Sequence, residues 1–100
     1  MRLKPQDRKA EILTAAIKVA GRPGGWSTLT RESVANEAGC AVGLVSRYFG
    51  TMACFKRAIM RAAVNDRDLS IIAQGLATRD VNAIKADADL KAQALATLAN

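Results

Sequence analysis

The sequence predicts an all-α protein, on three observations. Twenty of its 100 residues are alanine, the residue of highest helix propensity. Apolar residues recur at helical spacing, first as Ile12, Leu13, Ala16, Ile17 and Ala20, a single stripe from which Lys9, Glu11 and Lys18 are excluded. Residues that start or stop helices then punctuate the rest of the chain at short intervals. At about 100–200 residues per domain, this is one small domain or a small domain with an appendage.

The elements follow in order. The first helix is expected from about Asp7 to Ala20, stopped by Gly21, Pro23, Gly24 and Gly25. Trp26 comes next and is expected to anchor the core. Thr30 is a good N-cap for a second helix, with Leu29 and Val34 spaced as a hydrophobic staple. This helix runs only to about Ala38, because Gly39 suits a left-handed C-terminal turn. A third short helix is expected from about Ala41 to Tyr48, closed by Gly50. Thr51 then caps a fourth, carrying Phe55, Ile59, Ala62 and Ala63.

Two short helices joined by a Gly-containing turn of about three residues form a helix-turn-helix. Counting Arg31 as the first position, Ala35 is the fifth, Gly39 the ninth and Val45 the fifteenth. A small residue is needed where the helices cross, a residue tolerant of positive φ at the turn, and an apolar residue facing back into the crossing. All three requirements are met.

Charge is unevenly placed. Residues 1–61 hold 11 Lys/Arg against 4 Asp/Glu, whereas residues 62–100 hold 4 against 5, within a net charge of +6. The basic half is suited to a polyanion. No run of apolar residues is long enough to span a membrane and the N-terminus lacks a signal-peptide core, so a soluble, cytoplasmic protein is expected. With no histidine, no paired carboxylates and no nucleophile–base spacing, an enzyme is not expected, nor a cofactor or metal site. Cys40 and Cys54 are read as reduced, small apolar fillers.

The stretch LTRESVANEAGCAVGLVSRYFGTMACF, Leu29 to Phe55, resembles the DNA-binding domain of the tetracycline-repressor (TetR) type. RKAEILTAAIKVA, Arg8 to Ala20, resembles that family's first helix. The likeness is most specific at VANEAG, residues 34–39, followed by Gly43 and Tyr48-Phe49. It implies a three-helix DNA-binding unit whose helix beginning near Cys40 enters the major groove, in a two-fold dimer on a palindromic operator. The chain departs from the family pattern where DNA would be touched. Ala41 stands where Ser is usual, so an N-cap hydroxyl is missing. Ser46 stands where Tyr is frequent. Met52 stands where a Lys usually meets the DNA backbone, with Lys56 one turn later.

The candidate DNA-binding residues are then Thr30 and Arg31 on the backbone, Cys40 and Ala41 at the helix start, Val42, Gly43 and Leu44 toward base edges, and Ser46, Arg47, Tyr48 and Lys56. The small apolar face can meet thymine methyl groups, Arg47 a guanine edge or a phosphate, and Tyr48 a phosphate, with core packing as its other use. Arg2, Lys4, Arg8 and Lys9 form a basic segment that either tracks phosphates or is a solvated tail.

The DNA-binding domain is placed at residues 1–64 and a helical dimerisation segment of one to three helices at 65–100. Leu69, Ile72 and Leu76, with Ile71, mark either a continuing fourth helix or a short fifth, with Gly75 a possible break. Asp80 is expected to cap a last helix in which Val81, Ile84, Ala88 and Leu95 face one way. Leu69, Ile72, Leu76, Val81, Ile84 and Leu95 are the candidate dimer contacts, the alternative being that these helices complete a monomer core. The segment is too short for an inducer pocket within one subunit. The expected function is a DNA-binding transcriptional regulator, a repressor acting as a homodimer on double-stranded operator DNA in a bacterial, plasmid or phage setting. The alternatives are an antirepressor-like interaction module and a partition or copy-control factor.

Overall fold

The computed structural model describes residues 4–98. Among them are eight helices: α1 Pro5–Ala20, α2 Gly25–Thr28, α3 Arg31–Ala38, α4 Val42–Phe49, α5 Met52–Asn65, α6 Leu69–Ala77, α7 Val81–Ile84 and α8 Ala88–Leu98. The protein is all-α, as the composition and periodicity predict.

Local chemistry sets most boundaries. Pro5 opens α1, where its fixed φ suits the first helical turn and its missing N–H costs nothing. Thr30 caps α3 in a reciprocal box: its Oγ1 accepts the Ser33 N–H at 3.0 Å, and Ser33 Oγ accepts the Thr30 N–H at 2.9 Å. Gly39 ends α3 at φ 69°, a left-handed conformation that costs an L side chain strain. Only Gly39, Cys40 and Ala41 separate α3 from α4. Thr51, Asp68 and Asp80 cap α5, α6 and α7, each accepting a backbone N–H three residues on. The four-residue α2, which carries Trp26, was not expected from the sequence.

The helices pack in two joined groups. α1 lies against α2, α3 and α5, and α3 against α4, which also meets α5. α6 lies against α2, α5, α7 and α8. One apolar core runs through both groups, from Ile12 and Val34 through Val45, Phe55 and Met60 to Ile71, Ile72 and Leu90. Trp26 is buried, as its position after the glycines predicts. Ala35 and Val45 are also buried, as their positions in the helix crossing require.

The C-terminal third resolves one open expectation and departs from another. The chain breaks after α5, so of the two expected forms α6 is the separate short helix, and Gly75 lies buried inside it without interrupting it. The expected last helix is two, α7 and α8, because Asp87 makes a second cap by accepting the Leu90 N–H at 2.9 Å. The inward face is made by other residues than the stripe expected to meet a partner. Ala83, Ala86, Leu90 and Ala94 are buried, while Val81, Ile84 and Leu95 stand 59%, 47% and 50% exposed. The segment from residue 65 therefore completes the chain's own core.

Candidate nucleic-acid interface

Helix α4 has two faces. Val45 and Phe49 point inward and are buried, and Leu44 and Tyr48 are half-buried against the core. Val42, Gly43, Ser46 and Arg47 are exposed, as is Ala41 just before them. The outer face thus begins with small and apolar groups and ends with a hydroxyl and a guanidinium. Leu44, expected to stand outward, leans on the core because its position falls at the flank of the inward stripe.

Neighbouring elements hold α4 from behind. The Phe49 and Phe55 rings are tilted with centroids 4.9 Å apart, fixing the end of α4 on α5. Lys9 of α1 places its Nζ 5.4 Å from the Phe49 centroid. Arg31, at the start of α3, donates through Nη2 to the Gly50 carbonyl oxygen at 3.4 Å. A cation at a helix C-terminus opposes the partial negative charge there. At the other end, the Ala41 cap offers no side-chain acceptor; the Leu44 N–H donates to the Ala41 carbonyl at 3.1 Å, which leaves the N–H groups of Val42 and Gly43 for an external acceptor.

A carboxylate clamp fixes α3 on α1. Glu37 Oε1 accepts from Arg22 Nη2 at 2.6 Å and its Oε2 lies 3.3 Å from Lys18 Nζ. The Arg22 and Lys18 hydrogen bonds hold the Glu37 carboxyl below the ordinary glutamate range. Two cations of the basic half thereby share one carboxylate, which leaves the cluster with a net charge of +1.

The expected contact residues are distributed unevenly around this helix. Thr30 is exposed, with its hydroxyl occupied in the capping box. Arg31 is half-buried and directed at Gly50. Cys40 is half-buried against the core. Lys56 does not reach forward beside α4. It turns back to place its Nζ 4.3 Å over the Trp26 ring, because α5 carries that position toward α2. Burial there pushes its ammonium down, and nearby Asp80 acts the opposite way. Of the basic segment, Lys4 is exposed, Arg8 pairs with Glu11 at 3.2 Å, and Arg2 lies outside the described residues.

Cys54 is no core filler. It is exposed in the first turn of α5, where the Thr51 hydroxyl, and less strongly Arg57, hold its thiol below its usual value. Of the expected dimer contacts, Ile72 is wholly enclosed within the chain and has no surface to offer a partner, and Leu69 and Leu76 are half-buried on the core. Val81, Ile84, Leu95 and the unforeseen Leu98 are exposed. Sequence reasoning also passed over Arg57 and Arg61, exposed on one side of α5, although their i, i+4 spacing was there to be read.

Among the described residues no three His, Cys, Asp or Glu side chains come together as a metal site, and no helix is long and apolar enough to cross a membrane. Comparison of the chain with protein-family models, curated proteins and solved structures gives no match.

Proposed function

We propose that this protein is a sequence-specific DNA-binding regulator of the tetracycline-repressor type that reads the major groove with α4. The observation that carries the reading is the division of α4. Its inner residues lock into the core behind a three-residue turn, while Val42, Gly43, Ser46 and Arg47 form an exposed, uncapped outer face. A small-residue helix start lets the backbone come close to base edges, and an arginine one turn later can add a bidentate contact. The basic half of the chain supplies the non-specific attraction that precedes such contacts.

Binding is proposed to occur as a homodimer on a palindromic operator, with repression by occupation of promoter DNA. Val81, Ile84 and Leu95 are the members of the expected dimer set that remain available for it. The test is selection of bound fragments from random genomic DNA, followed by footprinting. An inverted repeat with half-sites about one helical turn apart, or a multiple of it, is expected. Failure to enrich any motif, or enrichment of a single asymmetric site bound by a monomer, overturns the respective part of the proposal.

The interaction-module reading draws on different observations. Lys56 is withdrawn to Trp26 and Arg31 is turned to Gly50, so two expected phosphate contacts are weakened. On that reading no DNA motif is selected.

A further inference from the structure

A trough runs between α5 and α7. Its volume is about 500 Å³ and its polar lining is Lys56, Arg57, Arg61, Asp80, Asn82 and Lys85. At one end it meets a second hollow of about 310 Å³ beside Trp26, with Lys56 and Asp80 lining both. We infer that this trough binds a small anion carrying two or more phosphoryl groups, with Arg57 and Arg61 on one wall and Lys85 on the other.

Charge balance is the first argument. Four cations face one carboxylate, and Asp80 already accepts the Ala83 N–H at 3.1 Å as the cap of α7. Among the described residues none of the four cations forms an ion pair, whereas Arg8, Lys18 and Arg22 elsewhere all do. Asn82, half-buried on the trough wall, adds a carboxamide that can donate to a bound anion. Lys56 adds a partly desolvated ammonium, which a nearby anion would stabilise.

Shape selects the class of anion. The volume lies within the range of small-molecule sites. The trough is open to one side and carries cations on both walls, Arg57 and Arg61 on α5 and Lys85 at the end of α7, so a compact ligand can be held from two sides. Guanidinium forks one helical turn apart can engage successive phosphoryl groups bidentately, which a single carboxylate or sulfate would use only in part. The trough shares Lys56 with the expected DNA contacts, but the residues that carry the inference, Arg57, Arg61 and Lys85, are not among them.

The test is titration of the full chain with sodium tripolyphosphate, followed by calorimetry and by the fluorescence of Trp26, the single tryptophan. Saturable binding is expected in both, because drawing Lys56 toward an anion changes the cation lying over the indole ring. The Arg61→Ala/Lys85→Ala variant, both sites being exposed, should weaken binding at least ~10-fold with an unchanged melting curve. If that variant fails to unfold cooperatively, Arg57→Ala alone should show a weakening in the same direction. No saturable signal, or unchanged affinity in a folded variant, overturns the inference. So does a variant that loses affinity only for random duplex DNA, which would make the trough a backbone-contacting surface.

Discussion

The carboxamide of Gln74 receives the backbone N–H of Trp26 on Oε1 at 2.9 Å and donates Nε2 to the Ala20 carbonyl at 2.8 Å. Helix α6 thereby satisfies the turn between α1 and α2. Trp26 is tied again through its indole N–H, which donates to Thr78 Oγ1 at 3.2 Å. An N–H in the first turn of a helix has no intrahelical acceptor, so Gln74 supplies what α2 lacks. Gln74→Leu keeps an unbranched stem near the backbone but orphans these groups. It should cost ~1–3 kcal/mol, measured by urea denaturation. A loss below ~0.5 kcal/mol would mean that water replaces the carboxamide. By the same logic, residues 1–64 alone should lack a cooperative unfolding transition.

Gly75 tests how closely α6 and α7 approach. A Cβ built there would lie 2.9 Å from the Ala83 Cβ and would also collide with the Met60 Cε. The methionine end can swing aside, but the alanine Cβ moves only with its helix. Gly→Ala in a helix interior ordinarily gains ~1 kcal/mol. Overpacking a filled core costs ~1–3 kcal/mol, so the net effect of Gly75→Ala should be destabilising. A higher thermal midpoint for this variant would show that α7 can retreat without loss.

The Glu37 clamp predicts a pH dependence. Its folded pKa is depressed, chiefly by the hydrogen bonds from Arg22 and Lys18. A depressed carboxylate contributes stability that is present above the unfolded pKa and disappears as pH falls through the folded one. The contribution should therefore be full above about pH 5 and fade below it. Because the group is solvent-accessible, the effect should be small and weakened by salt. Denaturation from pH 7 to pH 3 should show a shallower acid-side decline in Glu37→Gln than in the parent. Parallel curves would mean that the clamp contributes nothing.

These variants probe features that differed in how well the sequence announced them. Thr30, Gly39, Thr51 and Asp80 each act on their own neighbourhood, so cap and turn chemistry located α3, the turn, α5 and the start of α7. The break after α5 was harder, because the chain turns there through Arg67 at φ 56°, where a glycine would have signalled the stop. The inward face of α7 and α8 was not announced for another reason. It consists of Ala83, Ala86, Leu90 and Ala94, and alanine is weakly apolar, so the larger Val81, Ile84 and Leu95 marked only the opposite side, the one expected to meet a partner. Gly75 looked like an interruption because a close approach and a break call for the same residue. The outer face of α4 was legible, since burial of Val45 and Phe49 fixes which positions remain outside. The direction of Lys56 was not, because it depends on where Trp26 lies, 30 residues earlier.

Gly43 and Arg47 together separate the DNA reading from its rival. A Cβ at Gly43 would meet nothing within 4 Å in the free protein. Gly43→Ala should therefore stabilise the isolated chain by up to ~1 kcal/mol through helix propensity. On the proposed docking, the same methyl enters the space between α4 and the base edges. Operator affinity should then fall while the thermal midpoint rises, a combination that damage to the fold cannot produce. Arg47→Ala should leave stability within ~0.5 kcal/mol, because the side chain is exposed. It should cost ~1–3 kcal/mol of binding and relax base preference at one position of each half-site. If Arg47 met only a phosphate, affinity would drop about equally on all sequences and the salt dependence would become shallower. Should neither variant alter DNA binding, α4 is not the reading helix.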